Sequence, residues 1–243
     1  MSFLKNHPFG IDAKFESSIV LTYAFPKEEL KKFIPQCLEL DTFEDTWAFV
    51  AIAMVSTKRL RPKGFPVFLG MDFFLVGCRI FTIYRNKANK RLRGLYILKS
   101  ETDKWEMEFL GNLFTHYNYS KTDIGFEYFE NCRNISSLNS DFNVTISNQA
   151  VAIDLPTGSP FKTWDEARRF AGPLPFTFTC FEKEKSVLIV EGVRQNWKPK
   201  PLRIEHHNFD FLDKLGLSSP LLANAFEVNN VPYSWKKGVV ERW

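Results

Sequence analysis

From Phe73 to Tyr84 the chain is apolar on both sides of a period-two alternation. Phe73, Leu75, Gly77, Phe81 and Ile83 share one side with Arg79, while Phe74, Val76, Cys78, Ile80, Thr82 and Tyr84 share the other. A strand with no water-loving face is covered on both sides, so Arg79 is expected to point into protein. Trp47 to Val55 has the same two-faced character, and Phe15 to Phe25 alternates before Pro26 opens a short helix through Phe33. The polar stretch Ser56 to Lys63 reads as a loop, followed by an extended piece around Phe65 to Leu69. The polar turn Arg85 to Arg91 joins the Phe73 strand to a strand over Leu92 to Ser100 as a hairpin.

Asp103 three residues before Glu106 forms a capping-box pattern. The helix it opens would bury Trp105, Phe109, Leu110, Leu113, Phe114 and Tyr117 on one broad face, with Glu108, Asn112 and His116 as a polar stripe. Short strands follow at 124–130, 135–138, 143–146 and 151–155. Thr163 with Glu166 caps a second short helix, and strands resume at 176–181, 187–194 and 202–207. Asn208 caps a third helix, ended by Gly216, and strands at 225–228 and 233–240 close the chain. About a dozen short strands, few helices and no βαβ alternation predict a mainly β (β-rich α+β) chain, an antiparallel barrel or sandwich. With no linker or repeat, residues 1–243 read as a single domain.

Composition adds one oddity. The chain has 25 Phe, with 6 Trp and 7 Tyr, enough rings either to fill an interior or to line an apolar pocket. The net charge of +4 is mild, and the basic cluster Lys58, Arg59, Arg61 and Lys63 belongs to no nucleic-acid motif, so no nucleic-acid partner is expected. No apolar run approaches a membrane span and no signal peptide is evident, which predicts a cytoplasmic protein without membrane contact. Cys37, Cys78, Cys132 and Cys180 are far apart in sequence, without a C-x-x-C pair, and read as reduced thiols. Serine-elbow, Walker and dinucleotide-binding motifs are absent. His206 and His207 are neighbours on a strand, point to opposite faces and cannot share an ion, so neither a metal nor a cofactor is expected.

Polar residues on apolar strand faces are the candidates for chemistry: Arg79, Tyr96, Glu191 and His206. Arg79 has two readings. It could grip a ligand carboxylate in a dry cavity, or it could form a structural ion pair, with Glu191 among Val187, Ile189 and Val193 as the natural partner. A Glu191 without a cation would have a raised pKa and could serve as acid or base; Glu101, at the start of the central helix, is the second carboxylate candidate.

Tyr23-Ala24-Phe25-Pro26, Leu30 and the run Ile34-Pro35-Gln36-Cys37-Leu38-Glu39-Leu40-Asp41 resemble the opening of the acetoacetate decarboxylase-like superfamily. Arg79-Ile80-Phe81 and Arg93-Gly94-Leu95-Tyr96 look like an uncharacterised bacterial branch of it, and the resemblance extends to about Arg194. It implies a closed or partly closed antiparallel β-barrel with a central cavity. The superfamily's decarboxylases use a Schiff-base lysine beside a second lysine. The matching positions here are Asn118 and Tyr119, Lys121 is single and out of register, and Glu16 and Val50 stand where the family's arginine and glutamate align.

The reading that follows is a protein binding a small anionic molecule, a carboxylate, in its barrel without decarboxylase activity. Arg79 would be the anchor, with Tyr96, His116 and Tyr119 as further ligand-binding residues. Two alternatives stand beside it: a lyase or hydratase on a keto or hydroxy acid using Glu191 or Glu101, and a structural or assembly protein with a filled barrel. A homo-oligomer is compatible with all three.

Overall fold

The computed structural model describes residues 3–149, 153–172 and 174–243. In chain order its strands are Ile11–Pro26 (β1), Glu39–Leu40 (β2), Trp47–Pro62 (β3), Met71–Arg85 (β4) and Arg91–Thr102 (β5), then Tyr119–Lys121 (β6), Gly125–Tyr128 (β7), Cys132–Ser137 (β8) and Phe142–Ser147 (β9). Phe176–Phe181 (β10), Ser186–Arg194 (β11), Lys200–Pro201 (β12), Ile204–Phe209 (β13), Leu221–Trp235 (β14) and Val239–Arg242 (β15) complete them. The α-helices are Lys27–Leu30 (α1), Trp105–Phe114 (α2), Trp164–Phe170 (α3) and Asp210–Asp213 (α4).

Seven strands hydrogen-bond into a closed ring in the order β14-β1-β3-β4-β5-β10-β11, and β11 returns to β14 through Gly192 to Arg194. A second sheet, β13-β9-β8-β7, lies against the outside of β1, β3 and β4. Ile135, Phe142, Val144 and Ile146 of that sheet share one buried cluster with Leu21, Tyr23, Ile52, Met54, Val76 and Ile80 of the ring. The two-faced apolar pattern of β3 and β4 therefore has a cause: one face meets the second sheet, the other the ring interior. One end of that interior is filled by aromatic rings, with Phe49 stacked on Phe161 at 5.4 Å and Phe43 edge-on to Phe161 at 4.9 Å.

Several expectations are corrected. The ring is not wholly antiparallel: β10 runs parallel to β5 over Phe176–Phe178, and β6 is also parallel to β5. The stretch 56–63 is not a loop but the continuation of β3 to Pro62, bulged where its register to β4 shifts between Thr57 and Leu60. Helix α2 turns the other way. Met107 and Gly111 are its buried residues, while Trp105, Phe109, Leu110 and Leu113 are exposed. Hydrophobicity alone favoured the wider stripe, but the glycine admits a tyrosine ring that no larger residue would, and Asp103 bonds the Phe74 amide at 2.7 Å instead of capping the helix. Of the strand expected over 151–155, residues 151 and 152 lie outside the described residues and 153–155 are not in a strand.

Candidate functional site

The ring interior keeps a cavity of about 340 Å³ at the end away from the stacked phenylalanines, bounded by β1, β3, β4, β5 and α2. Its existence follows from small residues on β3 and β4. Ala53 stands opposite Gly77 in the strand register, and Ala51 opposite Arg79. With no side chain at Gly77, the Arg79 guanidinium folds back over that backbone: a Cβ there would sit 2.7 Å from Nη2. Arg79 makes no hydrogen bond or ion pair with any described residue. A guanidinium in such a place has five donors to offer.

Tyr119 and Tyr117 approach Arg79 from the segment after α2, where Asn118 takes a left-handed backbone. Asn112 clamps this segment. Its Nδ2 donates to the Tyr119 carbonyl and its Oδ1 accepts from the Tyr119 amide, both at 2.8 Å, while the Tyr119 ring packs on Gly111. Burial pushes the Tyr119 phenol up to about 12 against the opposing pull of Arg79, and it raises Tyr117 further. Both are neutral donors at pH 7. The Tyr117 hydroxyl is buried beside Thr177 and makes no hydrogen bond with the described residues.

His7 completes this wall. Its Nε2 is buried without a partner among the described residues, its ring tilts on Tyr117 at 5.2 Å, and burial, reinforced by His116, lowers its pKa to about 4. Across the cavity Arg194 donates to the Leu174 carbonyl at 2.8 Å and lies between Trp197 and Tyr233, 5.2 and 5.4 Å from their rings. The Trp197 Nε1 is likewise buried and has no partner among the described residues. Arg61, Arg79 and Arg194 thus line a mostly apolar space, and no Asp, Glu or Lys is among the described residues lining it. The three guanidinium groups make the lining positively charged, and none of its described residues carries a primary amine side chain.

Of the residues singled out in the sequence, Arg79 and Tyr119 meet in the cavity; the others lie elsewhere. Tyr96 falls between the cavity-lining Leu95 and Ile97, so the pleat turns it outward against an apolar cluster with Cys37 and Cys180. His116 binds Asn6 at 3.0 Å and packs edge-on to Phe181, outside the cavity. Glu191 pairs with Lys236 at 2.9 Å on the surface and does not meet Arg79. Glu101 is buried on the outer face of β5, tied to Lys99 at 2.8 Å and to the Ser140 hydroxyl. A bulge between Ile204 and His206 leaves His206 exposed and turns His207 towards Tyr23. Lys121 and Glu16 are exposed or half-exposed away from the cavity, and Val50 is in the core behind it.

Sequence reasoning passed over His7, Tyr117 and Arg194 as site residues. Arg194 had a readable signal, because it follows Leu188, Val190 and Gly192 on one strand face as Arg79 follows Leu75 and Gly77. His7 had none: it sits at a left-handed kink outside any periodic element.

The profile of DUF2071, described as an uncharacterized conserved protein, matches residues 12–232. The chain belongs to that family. Comparison with curated proteins finds no match. Among solved structures, acetoacetate decarboxylase from Legionella pneumophila aligns with TM-score 0.60 and 11% identity over 94% of this chain and 86% of that one. The enduracididine biosynthesis enzyme MppR complexed with pyruvate aligns with TM-score 0.52 and 10% identity, over 96% and 90% of the two chains. An acetoacetate decarboxylase-like enzyme from Sphingomonas wittichii RW1 gives TM-score 0.54 and 11% identity, over 96% and 91%. The DUF2071 chain thus has the acetoacetate decarboxylase-like fold that its opening motif suggested. No helix among its described residues is long and apolar enough to cross a membrane.

Proposed function

We propose that this DUF2071 protein binds a small organic carboxylate in the ring cavity, without decarboxylating it through a Schiff base. The observation that carries this reading is the Arg79 guanidinium, unpaired among the described residues inside a cavity whose lining holds no carboxylate. Arg79 supplies the charge-assisted contact to the acid group, and the neutral phenols of Tyr117 and Tyr119 donate beside it. Phe73, Leu75 and the rings of Trp197 and Phe226 receive the ligand's apolar part. A volume of about 340 Å³ suits a molecule of a few to a dozen heavy atoms. The pyruvate held by a protein of like fold supports the choice of a small keto or related acid.

The lyase or hydratase alternative loses its proposed acid–base groups, since Glu101 and Glu191 are engaged outside the cavity. A filled, purely structural interior is disfavoured by the open volume. The test is native mass spectrometry of gently purified protein, followed by titration with pyruvate and acetoacetate. A retained anion or saturable binding, lost in Arg79→Met with the fold intact, is the expected result. Unfolding of Arg79→Met would indicate instead that the arginine is structural. Treatment with acetoacetate and borohydride should leave the mass unchanged, and an adduct at Lys121 would overturn the non-Schiff-base reading.

A further inference from the structure

Outside the cavity, two thiols that are 143 residues apart in sequence meet: Cys37 Sγ and Cys180 Sγ are 2.7 Å apart. Cys37 lies in the turn closed by the Leu38 amide and the Pro35 carbonyl, just before β2; Cys180 lies on the outer face of β10. Both are partly exposed, beside an apolar cluster built from Leu38, Tyr84 and Phe178. Two sulfurs closer than van der Waals contact need only a small movement to reach the roughly 2.05 Å of a covalent bond.

We propose that Cys37 and Cys180 form a dithiol site that a hydroperoxide oxidises reversibly to a disulfide, stapling the turn before β2 to the end of β10. Cys37 is the attacking group. The S–H···S contact between the two thiols holds the Cys37 pKa below the ordinary thiol range and raises that of Cys180. In the first step the Cys37 thiolate attacks the terminal peroxide oxygen. The O–O bond breaks, the departing alkoxide takes a proton to become an alcohol, and Cys37 becomes a sulfenic acid. In the second, the Cys180 sulfur attacks the Cys37 sulfur, the S–O bond breaks, and the hydroxide leaves as water with the Cys180 proton. Two thiols and one hydroperoxide thus give one disulfide, one alcohol and one water.

The other two cysteines serve as internal controls. Cys78 is buried within the main core, and Cys132 is partly exposed on β8 in the second sheet. Reduced protein is exposed to graded hydrogen peroxide, alkylated with N-ethylmaleimide, digested without reductant and mapped by mass spectrometry. The expected result is joint loss of label at Cys37 and Cys180 at an about tenfold lower dose than at Cys132, a cross-linked peptide joining them, and full relabelling after dithiothreitol. In Cys180→Ser, the Cys37 sulfenic acid should persist and be trapped by dimedone. Labelling of both residues at doses that already oxidise Cys132 would overturn the proposal. So would over-oxidation of Cys37 in the native protein without any cross-link to Cys180.

Discussion

Gly77 and Arg79 stand two residues apart on one face of β4, and the arginine's guanidinium occupies the space that a side chain at 77 would fill. An added methyl would meet Nη2 at 2.7 Å, but that atom ends a flexible chain, so the backbone need not move. Gly77→Ala is therefore expected to push the guanidinium out of place and leave the fold intact. Losing a charge-assisted contact of about 1.5–3 kcal/mol corresponds to a ten- to hundredfold weaker affinity. Calorimetric titration with pyruvate, alongside a melting curve, checks both halves. Unchanged affinity would mean that Arg79 does not hold the acid group.

Tyr119 offers a more selective change. With its phenol held up to about 12, it donates a hydrogen bond across the neutral range and does not compete as an anion. Tyr119→Phe should cost roughly 0.5–1.5 kcal/mol of binding, a factor of a few to ten, with melting behaviour little altered. Asn112→Ala should weaken binding by a similar factor, because it releases both backbone hydrogen bonds that fix Tyr119. If Asn112→Ala binds normally while Tyr119→Phe does not, the clamp is structural only.

The candidate residues also show what a sequence can and cannot reveal. Arg79 was visible because period-two alternation makes one charge on an apolar strand conspicuous, while its place opposite Ala51 is set by the register between β3 and β4. Tyr96 failed the same test by one position: its neighbours Leu95 and Ile97 took the inner face, and alternation alone does not say which face is inner. His206 was displaced by a bulge, which shifts the phase of every residue after it. Glu191 lay on a plausible strand, but its partner Lys236 comes from a distant segment that no local pattern connects to it. The helix after β5 was found, yet its buried face was set by Gly111 receiving Tyr119, a tertiary contact that hydrophobicity cannot encode.

His7 makes stability depend on pH. Unfolded, it titrates near 6.5; in the fold, burial lowers that to about 4. Between these values the unfolded chain binds more protons, so stability is full above about pH 6.5 and declines as the pH falls towards 4. The gap is worth up to roughly 3 kcal/mol. His116 and His207 are lowered as well and act in the same direction, so the slope must be compared with a variant. His7→Asn tolerates the left-handed backbone at this position and should flatten the denaturant-midpoint slope between pH 4 and 6.5. An unaltered slope would show that His7 is not protected from protonation in the fold.

Ala53 separates an open cavity from a filled interior with no polar side chain replaced. It faces the cavity from β3, directly opposite Gly77 in the register, and is almost wholly buried. In Ala53→Leu the three added carbons would grow into the space beside Arg79. If that space is the ligand's, pyruvate binding should fall below detection while the melting temperature holds or rises, because filling a void adds apolar contact. If instead the interior closes up in solution, the larger side chain has nowhere to go, and overpacking should cost about 1–3 kcal/mol. A melting curve and a binding titration on this one variant therefore distinguish the two, and lowered stability with unchanged binding would place the carboxylate site elsewhere.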